Sequence, residues 1–168
     1  MFPQWLERFS LRAWFATGAV AAIGLVVAGM QLQEIYRLAP CPLCIFQRLL
    51  YMIVGAIALL GFVWPGGRKL WAGLIVAVSL GGLLTAAYQS WMQAFPDLAP
   101  ECSYTDPNLV ERLVDWLGMQ VPSLFLATGF CTSRDWEFWT LSMANWSVLM
   151  FAGFLVAGVL TWRCGKSA

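Results

Sequence analysis

Four apolar stretches, at about residues 13–31, 45–64, 70–88 and 146–162, constrain this chain more than any other feature. Each is long enough to cross a hydrocarbon core of about 30 Å as a helix. Hydrophobic residues make up 60% of the 168 residues and charged residues only 11%. Soluble domains carry roughly 25% charged residues, so this chain has too little polar surface for a water-soluble fold. The expected fold is an all-α membrane protein, a four-transmembrane-helix bundle forming one domain over 1–168. Loops 32–44 and 89–145 join the helices on one side, and the second is expected to carry a short amphipathic interfacial helix. Arg8 and Arg12 ahead of the first stretch resemble the start of a signal peptide. The apolar run is longer than a signal core and no small-residue cleavage site closes it, so it is read as a retained helix.

Basic residues orient the bundle. Arg8 and Arg12 precede the first helix, Arg68 and Lys69 lie in the tight turn at 65–69, and Arg163 and Lys166 follow the last helix. All fall on one side, which the positive-inside bias makes cytoplasmic, with both termini there. The 91–143 loop then faces outward and is mostly acidic, with Arg112 and Arg134 against Asp97, Glu101, Asp106, Glu111, Asp115, Asp135 and Glu137. Tryptophans near the predicted helix ends, Trp14, Trp64, Trp71, Trp91, Trp139, Trp146 and Trp162, suit interface anchors.

This topology sorts the five cysteines. Cys41 and Cys44 lie in the first outward segment, Cys102 and Cys131 in the second, and Cys164 alone follows the fourth helix. Four thiols therefore face an oxidising compartment. Four cysteines allow three pairings, and sequence does not choose among them. The two-residue spacing favours a Cys41–Cys44 bond, which leaves Cys102 with Cys131. A Cys102–Cys131 bond alone reads as a staple, closing a loop of about thirty residues and adding roughly 3–4 kcal/mol in the chain-entropy account. The Cys41–Cys44 ring constrains little of the unfolded chain, so a redox role suits it better.

If the second helix starts near Cys44 or Ile45, unpaired amides and the helix dipole favour a thiolate at Cys44. Arg48 lies one turn on along the same face, where it could approach that sulfur and an acceptor's oxygen. The competing reading of Arg48 is snorkelling of its charge to the interface. Few reactions other than electron transfer to a lipid-soluble acceptor would use a dithiol and a cation at a membrane surface. In the outer loop, Asp106 and Pro107 suit an N-cap and first helical position. Leu109, Val110, Leu113, Val114 and Leu117 share one face, and Gly118 is placed to end the helix. That helix could lie in the membrane interface or pack onto the bundle. The proline-bearing segments around Cys102 are expected to be extended and suited to a partner's groove.

The segment CPLCIFQR at 41–48, the later pair Cys102 and Cys131, and FCTSRDWEFW at 130–139 together resemble the DsbB family over essentially the whole chain. Those proteins are bacterial inner-membrane thiol:quinone oxidoreductases. The resemblance implies catalytic Cys41, Cys44, Cys102 and Cys131, paired as Cys41–Cys44 and Cys102–Cys131, with Cys44 and Arg48 binding the quinone. It implies a relay in which a reduced DsbA-type thioredoxin-fold protein forms a mixed disulfide with Cys102. Electrons would then pass through Cys41 and Cys44 to a respiratory quinone, ubiquinone or menaquinone. The bilayer is the surrounding partner, and no metal or nucleic acid is expected. Gln47 stands where some relatives have an acidic residue, roughly Ser90 where some have a histidine, and this chain has no histidine.

Other readings fit less well. The paralogue DsbI, serving a dedicated DsbA-like partner, shares much of the pattern. A four-thiolate zinc site lacks close ligand spacing in its second pair. A membrane scaffold with two structural disulfides is the blander rival, and free-thiol counting after mild reduction separates it from a relay, since structural bonds should resist reagents that open relay bonds. A vitamin K epoxide reductase-like enzyme would carry its CxxC late in the bundle.

Overall fold

The computed structural model describes residues 11–98 and 107–163. Expectations placed on Arg8, Cys102, Asp106, Cys164 and Lys166 lie outside the described residues. In chain order the elements are α1 (Leu11–Tyr36), α2 (Pro42–Val63), α3 (Arg68–Ala94), α4 (Leu109–Gln120), α5 (Pro122–Phe125), β1 (Glu137–Phe138), β2 (Leu141–Ser142) and α6 (Met143–Arg163). Short 3₁₀ turns lie at Pro65–Gly67, leading into α3, and at Pro96–Leu98, following it. The helices α1, α2, α3 and α6 are long and apolar enough to span a membrane, as the four apolar stretches predict. The chain folds as an all-α membrane protein with one small hairpin.

Helix ends differ from the expected ones for local reasons. α2 begins at Pro42 rather than 45, because Cys41 acts as its N-cap: the Cys41 sulfur accepts from the Cys44 amide at 3.4 Å. Pro42 takes the first helical position, where a missing N–H costs nothing. α3 continues past 88 to Ala94, since the polar Gln89 and Gln93 are buried and bonded within the protein. α4 is capped by Asn108, not by Asp106 with Pro107. Asn108 Oδ1 accepts from the Glu111 amide at 3.0 Å, and the Glu111 carboxylate accepts from the Asn108 amide at 2.8 Å, closing a capping box. Nor does Gly118 end α4; it is buried inside the helix, where a β-carbon would come within 3.0 Å of the Phe125 carbonyl.

α2 lies between α1 and α3, α3 packs along α6, and α1 and α6 barely meet. Val114 of α4 is fully buried with Ile45 and Phe125, so this helix docks on the Cys44 end of α2. The face expected to be uniform is divided: Val110, Val114 and Leu117 turn inward, while Leu109 and Leu113 are exposed beside Trp116 and Met119. β1 pairs antiparallel with β2, and the two turn residues, Trp139 and Thr140, both hold positive φ, 52° and 62°. The hairpin displays Trp136, Phe138 and Trp139 as a stacked aromatic row.

The α3–α6 seam depends on a missing side chain. Phe151, fully buried, lies against the backbone of Gly82 and stacks on Tyr51 with ring centroids 4.2 Å apart. A β-carbon at Gly82 would overlap the Phe151 ring, whereas Gly81 faces open space. Gly82→Ala is expected to cost about 1 kcal/mol or more by overpacking. Thermal unfolding in detergent should show a lowered midpoint for Gly82→Ala and an unchanged one for Gly81→Ala.

The loops at the Cys41 end are joined by backbone. The amides of Thr128 and Gly129 both donate to the Pro40 carbonyl, at 2.9 and 3.0 Å. Gly129 passes so close to the Ala39 carbonyl that a β-carbon there would collide with it. The junction carries Cys131, which is buried against Cys41, Leu43 and Met92. Gly129→Ala should separate the loops. In reduced protein, alkylation of Cys131 is expected to speed up several-fold in that variant; unchanged protection would show that the junction does not depend on the glycine.

Candidate functional site

The first turn of α2 collects the sulfur chemistry. Cys41 and Cys44 stand as thiols with their sulfurs 3.2 Å apart, Cys41 buried and Cys44 half-buried. Cys44, three residues after the cap, keeps the helix N-terminal position that the sequence suggested. Cys131 reaches the pair from the second loop and touches Cys41. The Cys41 thiol is pushed well above its usual pKa by its contact with Cys131, then by Cys44 and by burial. Three of the four predicted catalytic cysteines are thus in one place, and Cys102 lies outside the described residues.

Arg48 does not snorkel. Its guanidinium donates to the Leu124 carbonyl of α5 at 2.6 Å and to Gln33 Oε1 of α1 at 2.7 Å. The charge is therefore held inward, between two elements, one turn beyond Cys44. The cavity it borders, of about 270 Å³, opens where α1 and α6 fail to close on each other. Apolar side chains such as Leu25, Val26, Leu32 and Met150 wall it, and Cys44, Arg48 and Gln89 lie along it. An apolar pocket with a few placed polar groups suits a flat, lipid-soluble ligand with polar oxygens. Among the described residues no group of His, Cys, Asp and Glu side chains could hold a metal ion.

Sequence reasoning missed Gln89 and Gln93, and named Gln47 without assigning it a partner. Gln89 Nε2 donates to the Cys44 sulfur at 3.0 Å and to the Cys41 sulfur at 3.3 Å. Gln47 Nε2 donates to Gln89 Oε1 at 2.7 Å, and both residues are buried. Gln93, on the next turn of α3, donates to the Ser133 carbonyl at 2.9 Å and accepts from the Ser142 hydroxyl at 2.6 Å. It ties the Cys131 loop to the start of α6. The signal was available: polar side chains within an apolar helix imply partners inside the bundle. Ending α3 at 88 had placed Gln89 and Gln93 in a loop.

Comparison with known proteins identifies the family. The family described as "Disulfide bond formation protein DsbB" matches residues 11–161. A protein named Disulfide bond formation protein B from Dechloromonas aromatica (strain RCB) is 65% identical, over 92% of this chain and 93% of its own length. One of the same name from Nitrosomonas europaea is 39% identical over 91% of this chain and 94% of its own. Another, from Azoarcus sp. (strain BH72), is 40% identical over 76% of this chain and 77% of its own. With four helices long enough to span a membrane and a dithiol lining an apolar cavity, the chain belongs to the DsbB family of membrane disulfide bond formation proteins.

Proposed function

We propose that this protein is a thiol:quinone oxidoreductase that reoxidises a periplasmic DsbA-type dithiol protein. The observation that carries the reading is the convergence of Cys131, Cys41 and Cys44 at the end of a cavity that also holds Arg48. Arg68, Lys69 and Arg163 lie at the opposite end of the bundle, which supports a cytoplasmic placement for that end and a periplasmic one for the thiols.

The reduced partner's thiolate attacks the Cys102–Cys131 disulfide at Cys102, releasing Cys131 as a thiolate. The partner's second thiol then displaces Cys102, and the partner leaves oxidised. Cys131 is packed on Cys41 and not on the far side of the dithiol, so its attack on a Cys41–Cys44 disulfide falls on the Cys41 sulfur. Cys44 leaves as a thiolate at the helix N-terminus, where amides and the helix dipole stabilise it. Cys102 then attacks Cys131, restoring the outer disulfide and returning Cys41 as a thiol. One dithiol has been oxidised and one produced, so electrons and protons balance.

A quinone supplies a two-electron, two-proton acceptor for that dithiol. The residues that would hold it are Arg48, whose guanidinium would face a carbonyl oxygen, and the apolar walls that would flank its ring and tail. The Leu124 and Gln33 bonds hold the guanidinium beside the cavity. Such an acceptor fits the energetics, because DsbA-type proteins are strong oxidants that glutathione-type couples would tend to reduce.

Purified protein in detergent, mixed with reduced DsbA and a soluble quinone, should form quinol in step with loss of DsbA thiols. Cys44→Ser is expected to abolish quinol formation while still capturing DsbA through Cys102. If DsbA stays reduced with both disulfides present, the reading fails for that partner. Arg48→Lys keeps the charge but loses the planar fork that bonds two elements at once. Its apparent KM for quinone should rise about tenfold, the scale of one charge-assisted hydrogen bond; an unchanged value would remove Arg48 from the quinone site.

A further inference from the structure

The geometry points to Gln89 and Gln47 as an uncharged amide relay that holds Cys44 in its reactive, negatively charged form. Gln89 is the direct donor and Gln47 a positioning residue that acts through it. The inference rests on the proposed role of Cys44 and adds the groups that prepare its sulfur.

A glutamine amide has a donor end and an acceptor end of nearly the same shape, so an isolated Gln89 could turn either towards the sulfurs. With its oxygen facing them it would repel a thiolate. Gln47 biases that choice, because its N–H occupies Gln89 Oε1 at 2.7 Å and leaves Nε2 facing Cys44 and Cys41. Burial of both amides makes the alternative costly, since against this Gln47 a turned Gln89 would set two N–H groups against each other. The Cys41 thiol is a second donor towards the Cys44 sulfur at 3.2 Å. Two donors therefore converge on one sulfur.

Among the described residues, the titratable and charged groups around that sulfur are Cys41 and Cys131 at the loop side and Arg48 and Tyr51 along α2. Arg134 and Asp135 lie across the cavity. α1 and α3 present Gln33, Gln89 and Gln93 there, and α6 presents no charged side chain to the cavity. Arg48 supplies charge at one turn's distance, but its N–H groups are directed to Leu124 and Gln33. The direct hydrogen bonding to the sulfur thus comes from Gln89 and Cys41. A relay of neutral amides can hold an anion without adding a competing charge or a group that itself titrates.

The test uses reduced, quinone-free protein in detergent and needs neither partner nor acceptor, so its failure is separable from failure of the proposed relay. Iodoacetamide labelling of Cys44 is followed against pH by tandem mass spectrometry. Gln89→Met keeps length and packing but removes the donor. The rate at Cys44 below its midpoint should fall about tenfold, with the midpoint moved up in pH by about one unit. Gln47→Met touches neither sulfur, yet it should move the midpoint in the same direction by less. Added to Gln89→Met it should move it no further. A midpoint unchanged in a monodisperse Gln89→Met protein overturns the inference. So does a Gln47→Met shift that persists when Gln89 is absent. Should Gln89→Met not give folded protein, an unchanged midpoint in Gln47→Met overturns it alone.

Discussion

The Pro40 carbonyl, accepting from two successive amides at Thr128 and Gly129, is the contact on which the active end of this molecule depends. Without it the second loop has only short elements and side-chain contacts to hold it on the first. With it, Cys131 lies on Cys41, and the segment preceding the junction, through α5, brings the Leu124 carbonyl to Arg48. Backbone hydrogen bonds suit this task, since they fix one stretch of chain against another without using side chains the chemistry needs. Gly129 is the cost in sequence: only a residue lacking a β-carbon passes the Ala39 carbonyl at this distance.

Below that junction the bundle is asymmetric in a useful way. α2 lies between α1 and α3, and α3 is seamed to α6 through Gly82 and Phe151, while α1 and α6 stay apart at the Cys41 end. The resulting cavity has apolar walls, as a lipid-soluble ligand requires, and its polar groups are bonded to one another or to backbone. Burying unpaired amides in such a setting costs several kcal/mol each. The Gln47–Gln89 and Gln93–Ser142 pairs meet that requirement while aiming donors at the sulfurs and fixing the Cys131 loop. Stability and function are served by the same bonds here.

Much of this was legible in the sequence because membrane helices are written in long apolar runs. The four spans, the CxxC at the opening of the second, and Arg48 one turn later all follow from counting. What was not legible depends on partners distant in the chain. Gln89 and Gln93 look like the end of a helix until Gln47, Ser133 and Ser142 are seen to satisfy them. Gly118 looks like a terminator until α5 is seen crossing it. Asp106 and Asn108 are both good caps, and only Asn108 has Glu111 three residues on. The Trp139–Thr140 hairpin lacks the Asn-Gly turn that would announce it, and its strands are two residues long. The meeting of Cys131 with Cys41 has no sequence signature, since nothing in the spacing of 131 and 41 encodes a shared carbonyl at Pro40.

The central claim is that Cys131 hands its electrons to Cys41, the nearer sulfur of the dithiol. The most direct test is disulfide mapping in a chain carrying Cys44→Ser, Cys102→Ser and Cys164→Ala, oxidised in dilute detergent solution and digested for mass spectrometry. An intramolecular Cys41–Cys131 bond formed rapidly and in high yield is the predicted result. Thiols that stay reduced under those conditions, or that pair only between molecules, would contradict the account.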